Sequence, residues 1–326
     1  MMTARLHIAL GLAALGLGST GCSTFGRLVG HRQHIFVSNY KDDTVSVIDC
    51  DTDREVNVIA VGDSPVGVAV RSQRPLVAVA NSTGKRVTLL DPKTMEIVRT
   101  VGVGEVSEHL VFSTDGSLLF VTLPKSGRVA VIDPDAGQVQ GMIDIGRKPK
   151  RLAASPDGRR LYVLLHIKNG GIAVVNLATR TVQATIPTGA FPTDFALTPD
   201  GKRLLAASFD DDNVAVIDTV ALKPIATWPV ATGFGVLVHP TKPLLYSMDS
   251  FDGAVHVLNY ETGQAVTTLE PGDFPTYSVI TPDGKYLYVV NEDSSSITKY
   301  DTETNQRMER VAVGGQPANA VIVTGP

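Results

Sequence analysis

The chain has 326 residues, 43% of them hydrophobic and 19% charged, with a formal net charge of -4. These proportions are ordinary for a globular protein, and the mild acidity excludes nucleic-acid binding that depends on overall positive charge. The two cysteines, Cys22 and Cys50, form no Cys-x-x-Cys pair, which excludes a covalent c-type haem, a zinc knuckle and a disulfide framework.

The N-terminus carries the pattern of an export signal. Arg5 precedes an apolar stretch that is too short to cross a bilayer as a helix. A Ser-Thr-Gly-Cys sequence that ends at Cys22 then resembles a bacterial lipobox, in which the cysteine becomes the acylated first residue of the mature chain. We therefore predict a lipoprotein signal peptide over 1–21 and a lipidated N-terminus and tether over 22–33. A plain secretory signal with an incidental cysteine is the alternative.

The residue after the lipobox cysteine indicates which membrane the protein is sorted to. Ser23 follows the cysteine, and there is no aspartate at that position. In this respect the sequence resembles enterobacterial lipoproteins that are sorted to the outer membrane. The expected location is the cell envelope, at the periplasmic face of the outer membrane, with acyl chains on Cys22 holding the protein to membrane lipid.

One segment, Val-x-Val-Ile-Asp or a close variant, recurs seven times. Its last residue is in turn Asp49, Asp91, Asp133, Asn176, Asp218, Asn259 and Asp301, at spacings of 42, 42, 43, 42, 41 and 42 residues. Each copy belongs to a unit of four short apolar runs separated by turn residues, without a helical period. Four strands in about 40 residues are typical of a propeller blade. The sequence therefore predicts an all-β fold over 34–326, a seven-bladed β-propeller of four-stranded blades.

The two ends of the repeat predict how the ring closes. The first unit begins near His34 with its second strand and lacks a first strand. The chain ends with a first strand, Pro317–Val323, that no further blade follows. The C-terminal strand is therefore expected to join the N-terminal blade, because an open ring would expose two sheet edges.

The second run of the last unit reads Tyr288-Val-Val-Asn291, and Phe36-Val-Ser-Asn39 is a looser copy. With these motifs the chain resembles the YVTN-repeat (YncE-like) propellers of the bacterial envelope over about residues 34–323. The resemblance implies the fold and leaves the activity open, because such proteins include uncharacterised envelope proteins, haem-binding propellers of nitrite reductases and lactonase-like enzymes. Trp228 is the single tryptophan, which disfavours WD repeats and quinoprotein propellers.

In such blades the first strand lines the central channel. We aligned the seven first strands on the proline that opens most of them and took the second residue after it, which alternation directs into the channel. These positions are Gly67, His109, Arg151, Asp194, Gly235, Tyr277 and Asn319. The five members with polar side chains, together with Lys150, are the candidate ligand-binding residues. The alternative is a wet channel mouth that tolerates polar residues of any kind.

The loops around the predicted mouth divide by charge. Segments 81–86, 123–128 and 147–151 are basic, whereas segments 208–213 and 249–252 are acidic. This arrangement predicts a dipole across the face that can orient a charged partner, and solvated loops are the alternative. Three adjacent aspartates in the acidic loop could offer oxygens to calcium, but they lack EF-hand spacing, so no metal is predicted.

No nucleophile–base pair or metal signature is recognisable, so we predict no catalytic residue and no cofactor. The favoured function is that of a membrane-anchored envelope module, which binds an envelope protein or a small molecule through its loop face and channel mouth. The alternative is a haem-type or lactonase-like propeller enzyme, with His109 as axial ligand or general base, Arg151 as anion clamp and Asp194 as orienting acid. A nucleic-acid partner is not expected, because few aromatic residues interleave with the basic ones. The protein is expected to be a monomer.

Overall fold

The computed structural model describes residues 32–231 and 233–324. The predicted signal peptide, Cys22 and all but the end of the tether lie outside the described residues. Within them, no helix has both the length and the apolar character needed to cross a bilayer.

The described residues form seven separate four-stranded antiparallel sheets, the blades. Blade 1 consists of β1 (Gln33–Asn39), β2 (Thr44–Asp49), β3 (Arg54–Ala60) and β28 (Pro317–Thr324). Blade 2 consists of β4 (Pro65–Arg71), β5 (Leu76–Asn81), β6 (Arg86–Asp91) and β7 (Glu96–Gly102). Blade 3 consists of β8 (Leu110–Phe112), β9 (Leu119–Leu123), β10 (Arg128–Asp133) and β11 (Gln138–Asp144). Blade 4 consists of β12 (Pro149–Ala154), β13 (Arg160–Leu165), β14 (Gly170–Asn176) and β15 (Thr181–Gly189).

The remaining three blades follow in chain order. Blade 5 consists of β16 (Pro192–Leu197), β17 (Arg203–Ser208), β18 (Asn213–Asp218) and β19 (Lys223–Pro229), with a 3₁₀ helix at Phe209–Asp211. Blade 6 consists of β20 (Gly235–Val238), β21 (Leu244–Asp249), β22 (Ala254–Asn259) and β23 (Ala265–Leu269). Blade 7 consists of β24 (Pro275–Ile280), β25 (Tyr286–Asn291), β26 (Ser296–Asp301) and β27 (Arg307–Ala312). The predicted seven-bladed all-β propeller is confirmed.

Each blade presents its connections on two faces. The crossovers between blades and the loops between second and third strands lie on one face, which we call the loop face. The tight turns between first and second strands, and between third and fourth strands, lie on the other, which we call the turn face. This division follows because antiparallel neighbours reverse direction at every connection.

The C-terminal strand closes the ring, as the sequence predicted. β28 pairs antiparallel with β1 in a register that places His34 opposite Val323 and Phe36 opposite Val321. The closing sheet thus draws its inner strand from one end of the chain and its other three from the opposite end, which leaves no unpaired inner edge in blade 1.

A buried ion pair joins the last blade to the first. The Lys299 ammonium on β26 lies 2.8 and 2.9 Å from the two carboxylate oxygens of Asp53 and 3.2 Å from the Cys50 carbonyl. It also lies 4.4 Å from the Tyr286 ring centroid. Lys299 is only 5% exposed, so its charge depends on these partners. The Cys50 thiol is buried, and burial raises its pKa to about 12, so the thiol is protonated at neutral pH.

Apolar packing lies between the blades. Seven clusters of buried hydrophobic residues join neighbouring blades in pairs, one cluster for each of the seven interfaces. A cluster on blades 1 and 2, for example, contains Phe36 and Val47 from one sheet with Val77 and Leu90 from the next. The second and third strands are nearly continuous apolar runs because each lies between two such clusters.

The last residue of each recurring segment forms the turn between the third and fourth strands of its blade. In all seven blades its side-chain oxygen accepts backbone N–H groups from the residues two and three positions later. This Asx turn ends the third strand and directs the chain into the fourth. Because only a side-chain oxygen is needed, Asn176 and Asn259 replace aspartate in blades 4 and 6.

These turns predict a difference between two substitutions at Asp133, whose Oδ1 accepts from Asp135 N and Ala136 N at 3.0 and 2.8 Å. Replacing Asp133 by Ala should lower the free energy of unfolding by about 1–2 kcal/mol, because two backbone donors lose their acceptor. Asp133→Asn keeps the oxygen and should lose less than half as much. Urea denaturation of both variants checks this, and equal losses would contradict it.

Candidate functional site

The crossovers carry an unusual backbone conformation that aims the first strands into the channel. In five of the seven blades the residue before the opening proline has a positive φ, between 46° and 56°: Ser64, Lys148, Phe191, Phe274 and Gln316. Proline disfavours the right-handed helical region for the residue before it, which is consistent with this left-handed turn. The chain thereby turns from the outer strand of one blade into the inner strand of the next.

Arg151 crosses the channel mouth. It lies on β12 of blade 4, and its Nε is 3.5 Å from Oδ1 of Asp194 on blade 5. Its guanidinium carbon also lies 5.1 Å from the ring centroid of Tyr277, which belongs to blade 7. Three of the predicted candidate residues therefore meet, and Arg151 spans the opening between blades that are not neighbours in the ring.

Asp194 is held by two blades at once. It is 5% exposed, and its carboxylate oxygens accept backbone N–H groups from Phe195 at 2.9 Å and from Val236 at 3.1 Å. Burial raises its pKa, while the Arg151 charge and the two hydrogen bonds oppose that rise. Burial also raises the pKa of Tyr277, so its hydroxyl remains protonated at neutral pH.

His109 precedes β8, and one of its ring nitrogens is already engaged. Its Nδ1 accepts the Leu152 backbone N–H at 3.3 Å. Burial lowers the pKa of His109 well below its usual value, and the Arg151 charge acts in the same direction. The neutral ring therefore carries its proton on Nε2, where it is a hydrogen-bond donor. In this state neither nitrogen offers a free lone pair to a proton or a metal.

Lys150 reaches a residue that sequence reasoning missed. Its ammonium lies 5.6 Å from the ring centroid of Phe234 on blade 6, which is a cation–π distance. Burial and the Arg151 charge lower the pKa of Lys150. Glu108, which the alignment also passed over, has a pKa raised by burial and opposed by the nearby Lys150. The mouth thus contains two cations and two carboxylates.

The three other positions of the predicted ring differ from these. Asn319 is 1% exposed, and its amide oxygen has no hydrogen-bond partner among the described residues. A Cβ at Gly67 would lie 2.5 Å from the Glu108 carbonyl oxygen, and one at Gly235 would lie 2.6 Å from the Thr276 carbonyl oxygen. The glycines therefore permit close approach of the next blade, so these two ring positions serve packing. A ligand-binding role for the polar members stays a prediction.

A second ring lies two residues further along the first strands. All seven of its members are apolar: Ala69, Val111, Ala153, Ala196, Leu237, Val279 and Val321. A cavity of about 520 Å³ begins at this level, where it is bounded by His109 and Tyr277, and is lined on blades 1 to 4. It continues towards the turn face, where Gln73 and Thr114 line it. The channel therefore passes from a polar mouth on the loop face to an apolar interior.

Four phenylalanines form a continuous cluster beside the mouth, which we call the phenylalanine patch. Its members are Phe209, Phe234, Phe251 and Phe274, from two loops and two crossovers of blades 5 to 7. Phe209 and Phe251 lie in the two loops that the sequence marks as acidic. A signal was present, because Phe191, Phe234 and Phe274 precede the first strands of three consecutive blades.

The described residues contain no group of three or more His, Cys, Asp or Glu side chains that could hold a metal ion. The acidic loop contains three adjacent aspartates. One of them, Asp211, accepts the backbone N–H of Ala190 at 2.8 Å and so holds the crossover between blades 4 and 5. His166 donates from Nδ1 to the Pro192 carbonyl at 3.0 Å, which leaves its Nε2 lone pair free. In the described part of the chain His166 belongs to no group of three or more potential ligands.

The paired charges at the mouth predict a pH-dependent cost of removing Arg151, whose side chain is 15% exposed. Arg151→Met should lower the free energy of unfolding by about 2–4 kcal/mol, because the Asp194 carboxylate stays buried without a countercharge. The double variant Arg151→Met/Asp194→Asn should regain at least half of that loss. Denaturant unfolding measures both.

The sign of the pH effect follows from Asp194. Burial raises the pKa of Asp194 above that of an ordinary aspartate, so the folded protein binds the proton more tightly than the unfolded chain does. The loss in free energy of unfolding caused by Arg151→Met should therefore be largest at neutral pH. It should decrease as the pH falls towards 4, because protonation of Asp194 removes the unpaired charge. A deficit that is constant from pH 7 to pH 4.5 would contradict the role of Asp194.

Comparison with known proteins agrees with this architecture. A family model described as a YNCE-like beta-propeller matches residues 27–240, more than half of the chain. No curated protein matches. The structure of Kuenenia stuttgartiensis hydrazine synthase is 21% identical, covers 82% of this chain and 92% of that chain, and has a TM-score of 0.75. A functionally unknown protein from Desulfotomaculum acetoxidans DSM 771 is 14% identical, covers 90% and 99% of the two chains, and also has a TM-score of 0.75.

At these identities the two solved structures show a shared fold and nothing more. The match of the family model identifies the family, because it extends over more than half of the chain and spans the first strands and recurring segments of blades 2 to 5. The chain belongs to the YNCE-like β-propeller family.

Proposed function

We propose that this protein is a lipid-anchored module of the cell envelope that binds a partner through its loop face and channel mouth and catalyses no reaction of its own. The observation that carries the proposal is the pairing of charges at the mouth. Asp194 accepts two backbone N–H groups and faces Arg151, and His109 accepts a third N–H at Nδ1. The two possible bases among the predicted candidate residues, Asp194 and His109, are therefore already engaged.

The mouth retains hydrogen-bond donors. Lys150, the Tyr277 hydroxyl and the Nε2–H of neutral His109 can each donate, while Arg151 has N–H groups beyond the Nε that faces Asp194. A site of this composition suits the recognition of acceptor groups on a partner. The rigid blades around it support binding with little rearrangement.

The enzyme alternative has weaker support. A histidine that ligates a metal usually donates its other ring N–H to an acceptor. His109 does the reverse, because its Nδ1 accepts from Leu152. The same contact opposes a role as general base, since the neutral ring carries its proton on the nitrogen that remains. A haem-type or lactonase-like activity is therefore not part of the proposal.

The membrane location is part of the proposal and rests on the sequence. Cys22 ends a lipobox-like segment, and Ser23 resembles an outer-membrane address. The described propeller begins only ten residues after Cys22, so an acylated cysteine would hold the ring close to the lipid surface. An envelope protein or a small molecule at that surface is the expected partner.

The anchor has a direct test. The wild-type protein should fractionate with membranes, and with the denser outer-membrane vesicles on a sucrose gradient. Cys22→Ser removes the acylated thiol and should move the protein into the soluble periplasmic fraction or leave the signal uncleaved. Labelling with a clickable fatty acid provides a second measurement. A Cys22→Ser protein that is still labelled and membrane-bound would refute the anchor.

Binding through the loop face predicts an asymmetry in photocross-linking within living cells. A photoreactive residue replaces Lys125, which is exposed in the β9–β10 loop of blade 3 on the loop face. The matched control replaces Ser117, which is exposed in the β8–β9 turn of the same blade on the turn face. Discrete adducts should form from Lys125 and be absent from Ser117. Equal adduct patterns from both positions, or none from either, would overturn the proposed binding face.

A further inference from the structure

The phenylalanine patch is a connected aromatic surface. Its four rings make five contacts, with centroid separations between 5.5 and 6.3 Å. Phe251 contacts each of the other three rings and is itself 64% exposed. Separations of this size are those of directly packed aromatic pairs, so the rings form one surface rather than four isolated side chains.

The core does not account for this patch. None of its members belongs to the seven apolar clusters between the blades. Other large hydrophobic side chains with high exposure, such as Val58, Val98 and Met308, lie on the outer strands. Contiguous exposed apolar surface with a polar rim is typical of an interaction site.

The rim of the patch is acidic. Asp210 directly follows Phe209 in the chain, Asp252 follows Phe251, and Asp273 precedes Phe274. Asp210, Asp212 and Asp252 are exposed, and their carboxylates make no hydrogen bond or ion pair with any described residue. Their charges are therefore available to a partner that covers the rings.

The patch already holds one cation from the chain itself. The Lys150 ammonium, which comes from blade 4 across the mouth, lies 5.6 Å from the Phe234 ring centroid. The faces of these rings therefore accept positive charge in the geometry that a guanidinium or ammonium of a partner would use. Arginine suits such a surface best, because its planar and weakly hydrated head stacks on aromatic faces.

We propose that the phenylalanine patch docks a cationic segment of a protein partner, in which arginine or lysine alternates with aliphatic side chains. The cations pair with Asp210, Asp212 and Asp252 and stack on the rings, while the aliphatic side chains cover the exposed Phe251. The acidic rim repels anionic lipid headgroups and nucleic-acid phosphates, which selects a protein segment over either of them. This inference rests on the proposed function and names the chemistry of its partner.

The test uses the full chain in a non-ionic detergent and three fluorescein-labelled ten-residue peptides. The first alternates Arg with Leu, the second replaces every Arg by Glu, and the third replaces every Leu by Ser. Fluorescence polarisation should show the tightest binding for the Arg–Leu peptide and no binding for the Glu–Leu peptide. Its affinity should fall as salt rises from 50 to about 300 mM, because exposed charges are screened within about 10 Å.

The variants separate the patch from exposed apolar surface in general. Phe251→Ser removes the central ring. It should weaken the affinity for the Arg–Leu peptide by about tenfold or more, as expected of an interface anchor. Val220→Ser is the matched control, because Val220 is 80% exposed in the β18–β19 turn on the turn face. It should leave the affinity unchanged. Asp252→Lys reverses one rim charge and should weaken binding, and unchanged melting temperatures show that all three variants fold.

Two outcomes would overturn the inference. One is equal affinity of wild-type protein and Phe251→Ser for the Arg–Leu peptide. The other is Phe251-dependent binding to phosphatidylglycerol vesicles or to a single-stranded oligonucleotide in place of the peptide. Adding Phe251→Ser to the Lys125 photocross-linking experiment distinguishes this failure from that of the proposed function. Adducts that persist without Phe251 reject the patch alone, whereas adducts absent from both proteins reject the binding face itself.

Discussion

The pairing of β28 with β1 is the constraint on which the other features of this ring depend. It gives blade 1 its inner strand and so fixes the circumference at seven blades. Arg151 can reach both Asp194 and Tyr277 only because blades 4, 5 and 7 are held at set distances around one axis. The Lys299–Asp53 ion pair then joins blade 7 to this closing blade.

The buried charges at the mouth are tolerated because they compensate one another. An isolated carboxylate as enclosed as Asp194 would bind a proton at neutral pH or destabilise the fold. Arg151 and two backbone N–H groups oppose this by stabilising the charged form, and their contacts join blades 4, 5 and 6 at the channel. The same contacts occupy the Asp194 carboxylate, so this group is not a free base at the opening.

The sequence was informative where the determinants are local and repeated. The aspartate or asparagine that ends each recurring segment forms its turn within three residues, so its spacing revealed seven blades directly. Alternation along the first strands likewise identified Arg151, Asp194 and Tyr277 as facing the channel. Their mutual contacts depend on how far each side chain reaches across the opening, which spacing does not encode. The phenylalanine patch was missed because its members lie on separate connections. Phe209 and Phe251 occupy equivalent loops of blades 5 and 6, and Phe234 and Phe274 precede two first strands, but the contacts among them depend on how these connections pack on the loop face.

The origin of blade 1 from both chain ends also has a temporal consequence. Translation and the proposed export both deliver the chain from its N-terminus, so blades 2 to 7 can pair their strands first, whereas blade 1 waits for the last residues of the chain. Asn319 and the wall of the channel that β28 supplies are absent until that moment. A product that terminates before β28 therefore lacks a complete channel mouth.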